Sequence, residues 1–227
     1  MAPYHIRKYQ ESDRKPVLDL FSNGLLEHIP ITFYKMLILP QTLLFILGVL
    51  FSILLVSGSW FLVIVSSFIL LAFLWLLARY TWKNRVDLSL RTDMADITKS
   101  YLRACGSCFW VAESGGQVVG IVCALPEENP ALEKKQLRLR HLSVAMEHRG
   151  EGIGKALVRT VLQFAREQGC SEVVLTSSVL QYAALGLYQG MGFQKTRHSF
   201  YSWLSRLRGT PLFHFTYCFP SAQEGAL

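Results

Sequence analysis

The sequence contains no charged residue between Lys35 and Arg79, although the whole chain carries a formal net charge of +7. These 43 uncharged residues would reach about 64 Å as one straight α-helix. A bilayer core is about 30 Å thick and is spanned by about 20 apolar residues. The run is therefore too long for one span, and its length without charge is unusual for a core hairpin of a soluble protein. We interpret it as a membrane element.

Pro40 and Gly58 are the positions at which this element can break. Two helices near 42–57 and 60–77 would then turn at Ser57-Gly58-Ser59. Each helix is at the short end of the spanning range, so a re-entrant hairpin stays open as the alternative. Basic residues lie on both sides of the element, which predicts that its two ends face the cytoplasm. They are Lys35, Arg79, Lys83 and Arg85.

The sequence also lacks a disulfide framework, a metal-ligand pattern and a nucleic-acid-binding motif. The five cysteines are scattered and odd in number. Cys105 and Cys108 form one C-x-x-C, but no second pair and no histidine at ligand spacing accompanies it, so no metal is predicted. No basic run reaches five residues, so a nucleic acid is not the expected partner. The positive charge favours a lipid bilayer and an anionic coenzyme instead.

Short alternating segments on both sides of the apolar run predict an α/β fold, with α+β features, built on one mixed sheet. Before the run, residues 4–9 are typical of a strand and residues 11–28 of a helix. After it, helices are predicted at 93–101 and 155–168. The predicted strands are 109–112, 117–125, 137–144, 172–176, 193–203 and 212–219. The apolar hairpin is then an insertion near the first helix of the sheet domain.

A glycine-rich stretch, EHRGEGIGKAL, lies between the strand at 137–144 and the helix at 155–168. Its three glycines fall within five positions and remove every Cβ that would keep a ligand from the backbone. The helix start that follows presents unpaired N–H groups and the positive end of the helix dipole, which predicts an anion cradle. The stretch matches neither the dinucleotide-binding G-x-G-x-x-G nor the P-loop, because no serine or threonine follows its lysine.

The spacing of Arg149, Gly152 and Gly154, after a strand that ends in L-S-V, resembles the R-x-x-G-x-G acetyl-CoA signature of the GNAT superfamily of N-acetyltransferases. A second stretch, QYAALGLYQGMGF from 181 to 193, resembles the superfamily motif N-x-x-A-x-x-L-Y-x-x-x-G-F. Gln181 stands where asparagine is usual. The two motifs have the expected order and distance. The resemblance implies a GNAT acetyltransferase fold with an inserted transmembrane or re-entrant helical hairpin, an acyltransferase activity and acetyl-CoA as donor.

The resemblance also implies which residues hold the coenzyme. Backbone donors near Leu142, Ser143 and Val144 are expected to polarise the acetyl carbonyl, while the leucine and valine side chains pack. The pyrophosphate is expected on the loop. The loop residues are Arg149, Gly150, Glu151, Gly152, Ile153, Gly154 and Lys155.

Tyr188 matches the position from which many family members protonate the coenzyme thiolate. A free tyrosine has a pKa of about 10, close enough to that of a thiol to act as its acid. An aromatic side chain that only packs on the helix face is the alternative.

The general base and the acceptor contacts are less specific in the sequence. His141 lies one strand step before the coenzyme-binding stretch and is the candidate base, with a structural histidine as the alternative. Glu113 and Glu147 are weaker candidates. Arg138 and Arg140 alternate on one strand and would clamp an acceptor carboxylate if they do not simply face solvent.

Stretches specific to one branch of the superfamily, such as MAPYHIRKYQESDR and HLSVAMEHRGEGIGKALVRTVLQFAREQG, resemble the camello-like N-acetyltransferase 8 family over essentially the whole length. That resemblance implies an enzyme of the endoplasmic-reticulum membrane, or of the ER–Golgi intermediate compartment, that N-acetylates cysteine S-conjugates to give mercapturic acids. Two alternatives stay open. One is a protein lysine acetyltransferase with a lumenal catalytic domain, and the other is a non-catalytic membrane interaction protein on a GNAT scaffold.

We predict four segments. Residues 1–34 supply the first strand and helix of the GNAT domain, residues 35–82 form the membrane hairpin, and residues 83–220 form the acetyl-CoA-binding part. Residues 221–227 are a tail. The catalytic domain is expected in the cytosol, and oligomerisation stays open.

Overall fold

A seven-stranded mixed sheet forms the centre of the structure. The computed structural model describes residues 4–127, 135–201, 205–206 and 209–219. The predicted tail at 221–227 lies outside them, as does most of the loop after β3. The strands are β1 (His5–Lys8), β2 (Cys108–Ser114), β3 (Gln117–Glu127), β4 (Gln136–Val144), β5 (Glu172–Ser178), β6 (Gln194–Ser199) and β7 (Leu212–Cys218). The α-helices are α1 (Arg14–Leu26), α2 (Ile29–Leu37), α3 (Pro40–Ser57), α4 (Trp60–Arg91), α5 (Ile153–Glu167) and α6 (Tyr182–Gly190).

The strand order is β1-β2-β3-β4-β5-β7-β6. Every neighbouring pair is antiparallel except β4 and β5, which are parallel and connected through α5. The last strand, β7, lies between β5 and β6, so the two closing strands predicted from the sequence pair with each other. The predicted mixed-sheet α/β fold is confirmed.

The two parallel strands separate soon after they meet. β4 and β5 pair only where residues 136–138 lie beside residues 172–174. β4 then stays paired with β3 as far as Val144, and β5 stays paired with β7 as far as Ser178. A gap therefore opens at the carboxyl ends of the two strands, where ligands of open α/β sheets commonly bind.

A β-bulge at His141 accompanies this gap. Arg140 faces Cys123 and Ser143 faces Ile121, so two residues of β4 oppose one residue of β3. His141 has a φ of 55°, which is uncommon for a residue other than glycine. The bulge breaks the alternation of β4 at the position of the predicted base.

The central strands contribute alternate residues to two hydrophobic cores, as the period of two in a strand requires. On one face Trp110 and Ala112 belong to the core under α5. On the other face Phe109 and Val111 belong to the core with α1 and residues 94–101. The start of α5 and the segment 94–101 before β2 thus pack on opposite faces of one sheet.

The apolar run forms a helical hairpin, α3 and α4, with the turn that the sequence predicts. Gly58 closes α3 with a φ of 60°, in the left-handed region that glycine adopts readily. Both helices are long and apolar enough to cross a membrane by length and composition. Their apolar side chains are mostly exposed in the isolated chain.

The second helix of the hairpin continues into the sheet domain. α4 has 32 residues, so it extends 14 residues beyond the predicted end of the span at residue 77. This extension buries Ala78, Trp82 and Val86. The indole Nε1 of Trp82 donates to Thr32 Oγ1 of α2 at 2.7 Å, and the ring lies 5.1 Å from that of His28. These contacts attach the end of the hairpin to α2 and to the residue that precedes it.

The helix predicted at 93–101 forms only in its second half. Residues 93–96 form turns and a bend, and a π-helical segment then runs from Thr98 to Leu102. Asp93 is turned inward to accept hydrogen bonds from the side chains of Tyr101 and His141, and Asp96 accepts from the backbone N–H of Lys99. Short acidic side chains favour such local hydrogen bonds over a regular helix.

Candidate active site

A cavity of about 350 Å³ opens where β4 and β5 diverge. Its walls come from α1, α4, β4, β5 and α6, so residues far apart in the sequence meet in it. The polar side chains that line it include Arg85, Arg138, Arg140, His141, Gln181 and Tyr188. Most candidate side chains named from β4 and from the second motif therefore share one space.

The glycine loop has the backbone conformation of an anion cradle. Gly150 and Gly152 have φ values of 88° and 85°, which a residue with a Cβ rarely adopts. Gly152 immediately precedes the first residue of α5, so the unpaired N–H groups of that helix begin here. A Cβ at Gly150 would meet nothing within 4 Å. The glycine there serves the turn and leaves the backbone open to a ligand.

The remaining loop residues differ in which of their atoms a ligand could contact. Ile153 buries its side chain in the core under α5, so only its backbone is available to a ligand. Glu151 and Lys155 are exposed. A Cβ at Gly154 would lie 3.6 Å from Leu187 of α6 and 3.9 Å from Val144, so this glycine faces the space between β4 and α6.

Arg149 makes an ion pair that the sequence did not predict. Its guanidinium donates to the Glu27 carboxylate at 2.7 and 2.9 Å and to the carbonyl of Val144 at 3.1 Å. The arginine therefore connects the end of β4 to the residue that follows α1. An incoming pyrophosphate would compete with Glu27 for this cation.

The end of β4 presents its backbone to the cavity. The side chains of Leu142 and Val144 pack against the core under α5. Ser143 Oγ donates to the carbonyl of Leu20 at 3.4 Å and lies against Gly24 of α1, where a Cβ would approach it to 2.3 Å. Because β5 pairs with β4 only at 136–138, the edge of residues 142–144 that faces β5 has no strand partner in the described part of the chain.

Tyr188 lies in α6 with 5% of its surface exposed and lines the cavity. Its ring packs at 5.7 Å from Phe193 and 6.0 Å from Phe215. Burial raises the pKa of Tyr188 above its ordinary value. The phenol is thus held in its protonated form, as a proton donor must be at neutral pH.

His141 is oriented by a carboxylate. Its Nε2 lies 2.7 Å from Asp93 Oδ2, and its ring meets Phe21 edge to face at 4.9 Å. Burial opposes ionisation of Asp93, but the hydrogen bonds from His141 and Tyr101 and the charge of Arg140 outweigh it, so the pKa of Asp93 stays well below its usual range. An ionised Asp93 favours the tautomer that carries a proton on Nε2 and leaves Nδ1 as the basic nitrogen.

The two arginines of β4 both line the cavity but carry acidic partners. Arg138 makes a bidentate ion pair with Glu127, which also holds the pKa of that carboxyl below its usual range. Arg140 lies 3.4 Å from Asp93. Both guanidinium groups have an acidic partner in the structure. This pairing weakens the expectation that they clamp an acceptor.

The weaker base candidates lie elsewhere. Glu113 is in β2 and accepts a hydrogen bond from Arg7 at 2.7 Å, outside the residues that line the cavity. Glu147 is exposed in the short 3₁₀ turn Met146–His148.

Gln181 fills the place of the asparagine in the second motif. Its Oε1 accepts from the backbone N–H of Ser178 and from Ser177 Oγ, both at 3.1 Å. The amide thereby fixes the connection between β5 and α6, and with it the helix that carries Tyr188. Glutamine, like the usual asparagine, supplies a side-chain amide at this junction.

Sequence reasoning missed Asp93 and Arg85. Asp93 lies in a segment predicted to be helical, and nothing in its spacing relates it to His141, 48 residues later. Arg85 was interpreted only as a basic flank of the hairpin. An acidic residue in a polar loop and an arginine after an apolar helix carry no signal of a shared cavity.

Known proteins that resemble this chain are acetyltransferases. The model of the acetyltransferase (GNAT) family matches residues 74–193. N-acetyltransferase 8B of Homo sapiens is 60% identical over 227 residues, which is 100% of both chains.

Solved structures are more distant. An acetyltransferase of the GNAT family from Staphylococcus aureus is 15% identical and covers 96% of this chain and 99% of its own, with a TM-score of 0.55, which shows the fold alone. A chain of the NatC complex, bound to Gag peptide and CoA, is 24% identical and covers 49% of this chain and 71% of its own, with a TM-score of 0.44.

Proposed function

Because the chain belongs to the acetyltransferase (GNAT) family and, within it, to the N-acetyltransferase 8 family, we propose that this N-acetyltransferase moves acetyl from acetyl-CoA to the α-amine of a cysteine S-conjugate. The observation that carries the proposal is one cavity that is lined by the end of β4, by His141 and by Tyr188, with the glycine loop directly after that end of β4 and its Gly154 facing Val144 and Leu187. The same chain would be anchored to a lipid bilayer by α3 and α4.

The donor site follows from the backbone of the loop. Gly150 and Gly152 allow a pyrophosphate to approach N–H groups at the start of α5, where the helix dipole favours negative charge. Arg149 would exchange Glu27 for a phosphate oxygen, with Lys155 adjacent. Acetyl-CoA supplies an acetyl thioester activated for transfer to an amine. Backbone groups of Leu142, Ser143 and Val144 would position its carbonyl.

Proton transfer is assigned to two of the titratable groups that line the cavity, His141 and Tyr188. Forming the amide releases a proton from the amine nitrogen, and breaking the C–S bond requires a proton on sulfur. His141 would accept the first through Nδ1, directly or through water, while Asp93 stabilises the imidazolium. Tyr188 would donate the second, since its phenol lines the cavity and is protonated at neutral pH.

An Asp93→Asn substitution tests this assignment. We expect kcat/KM for acetyl transfer to fall about 100-fold or more, because the amide no longer fixes the tautomer of His141 or stabilises its charged form. The pH–rate profile should change its shape, because the negative charge of Asp93, whose pKa lies well below its usual range, is absent from the cavity in the variant. The measurement is steady-state acetylation between pH 5.5 and 9.

The matched control is Asp96→Asn, in the same loop but exposed, whose side chain accepts from the backbone N–H of Lys99 and from nothing else among the described residues. It should leave both kcat/KM and the profile unchanged. A purely structural role for Asp93 is indicated if activity falls with the thermal stability of the protein while the profile keeps its shape.

The acceptor class is tested by a direct comparison. Membranes that carry the protein are given acetyl-CoA and either S-benzyl-cysteine or a lysine peptide, and thiol release is followed. Turnover with the cysteine conjugate alone supports the proposal. Turnover with the peptide alone would favour protein lysine acetylation, and folded protein that is inactive with both would favour an interaction protein on the same scaffold.

The proposed location is the endoplasmic-reticulum membrane, with the sheet domain in the cytosol. Basic residues on both sides of the hairpin support this orientation. The β2–β3 turn at Gly115-Gly116 is exposed, and Gly115 has a φ of 56° that asparagine tolerates. A glycosylation site made there by Gly115→Asn with Gln117→Thr is expected to stay unglycosylated in cells.

The natural sequence provides a clean background for this experiment, because Asn23, Asn84 and Asn129 are not in N-x-[ST] sequons. Glycan addition at the new site would place the sheet domain in the lumen. That result would contradict the proposed orientation.

A further inference from the structure

Arg85 lies on α4 and lines the same cavity. Its neighbour Trp82 is the residue that attaches α4 to α2. Arg85 lies eight residues after Leu77, the predicted end of the second span, and lines both the main cavity and a smaller adjacent one. Its guanidinium carbon lies 5.2 Å from the ring centre of Trp82 and 5.3 Å from that of Tyr201. Two aromatic rings therefore hold the cation at the cavity wall.

No carboxylate balances this cation within the described part of the chain. The other cavity-lining arginines, Arg138 and Arg140, pair with Glu127 and Asp93, whereas Arg85 has no acidic oxygen within 4 Å among the described residues. Burial lowers the pKa of Arg85, and the only charge that opposes this effect comes from Tyr201. A half-buried cation without an anion is costly unless a ligand supplies one.

The neighbours of Arg85 suit a small amphiphilic anion. Leu25 and Leu88 give the cavity apolar surface beside the guanidinium, and Ser89 lies one residue further along α4. A guanidinium matches the geometry of a carboxylate through two parallel hydrogen bonds. A free amino acid with an apolar substituent has these parts, whereas a lysine within a peptide carries no carboxylate next to its reacting amine.

We infer that Arg85 binds the carboxylate of the acceptor and so selects free amino-acid conjugates over protein lysine. This inference rests on the proposed function and adds to it the residue that decides between acceptor classes. It also assigns the extended end of α4 a direct part in the active site. The helix α4 then contributes to the acceptor site as well as to the proposed anchor.

The test compares two acceptors that differ only at the carboxyl group, S-benzyl-cysteine and its carboxamide, in the wild type and in Arg85→Gln. We expect the substitution to raise KM for the carboxylate about 10- to 100-fold, which is the range for losing a hydrogen-bonded ion pair. KM for the carboxamide and KM for acetyl-CoA should change less than about twofold. Lys83→Gln, on the exposed side of the same helix, is the matched control and should change none of these values.

Arg85→Lys supplies a second variant that keeps the charge but loses the planar fork. Its KM for the carboxylate is expected between those of the wild type and Arg85→Gln, so it decides the question if the glutamine variant does not fold. An equal effect on both acceptors, or none on either, would overturn the inference and leave the proposed function standing. A wild-type protein that binds acetyl-CoA but acetylates neither acceptor would overturn the proposed function, and the inference with it.

Discussion

A Gly152→Glu substitution is expected to abolish measurable acetyl-CoA binding while the protein stays folded. Gly152 immediately precedes α5 and has a φ of 85°, so its backbone belongs to the proposed pyrophosphate cradle. The new side chain would place a negative charge at the positive end of the helix, where the pyrophosphate is proposed to lie. Losing several charge-assisted hydrogen bonds should weaken binding by a factor of at least about 100.

The matched control is Gly169→Glu, two residues beyond the other end of the same helix. Gly169 has a φ of 67°, and a Cβ there would meet nothing within 4 Å. Both variants carry the strain of a side chain at positive φ, of order 1–3 kcal/mol, and the same charge change. Calorimetric titration with acetyl-CoA should therefore show binding in the control and none in Gly152→Glu. Equal affinities for acetyl-CoA in the two variants would show that the loop is not part of the donor site.

A Tyr188→Phe substitution is expected to lower kcat by about 100- to 10,000-fold, the range for losing a general acid. KM for acetyl-CoA should stay near the wild-type value, because the ring and its contacts with Phe193 and Phe215 are preserved. The thiolate would then leave without a positioned proton donor. Single-turnover kinetics separate this loss in the chemical step from any change in donor binding.

Tyr182→Phe is the control for Tyr188. Tyr182 begins the same helix, α6, and 57% of its surface is exposed, so removing its hydroxyl should leave kcat unchanged. If Tyr188→Phe keeps full activity, Tyr188 is a packing residue only, and the proton must reach the thiolate by another route.

The parts of the structure that follow local patterns were predictable from the sequence. Alternating apolar residues located the strands, and the glycine spacing located the start of α5. The uncharged run between Lys35 and Arg79 gave the hairpin, including its turn at Gly58. The two family motifs led to the GNAT fold because each combines a conformational requirement with a fixed spacing.

The parts that depend on long-range pairing were not predictable. The bulge at His141 arises because β3 and β4 change register, which the alternating pattern of either strand does not reveal. Asp93 meets His141 across 48 positions of sequence. In the same way, Arg149 meets Glu27 and Arg85 meets Tyr201 across 122 and 116 positions of sequence. Side-chain partners of this kind follow from the tertiary fold and not from residue type.

The central claim is that this cavity transfers acetyl from acetyl-CoA to a small amine that carries a carboxylate. The most direct test incubates the purified protein in detergent with acetyl-CoA and S-benzyl-cysteine, and quantifies free CoA and N-acetyl-S-benzyl-cysteine by mass spectrometry. We predict that the two products form in equal molar amounts with the wild type and with Gly169→Glu, and that neither forms above background with Gly152→Glu. Folded wild-type protein that binds acetyl-CoA but yields no acetylated conjugate would contradict the claim.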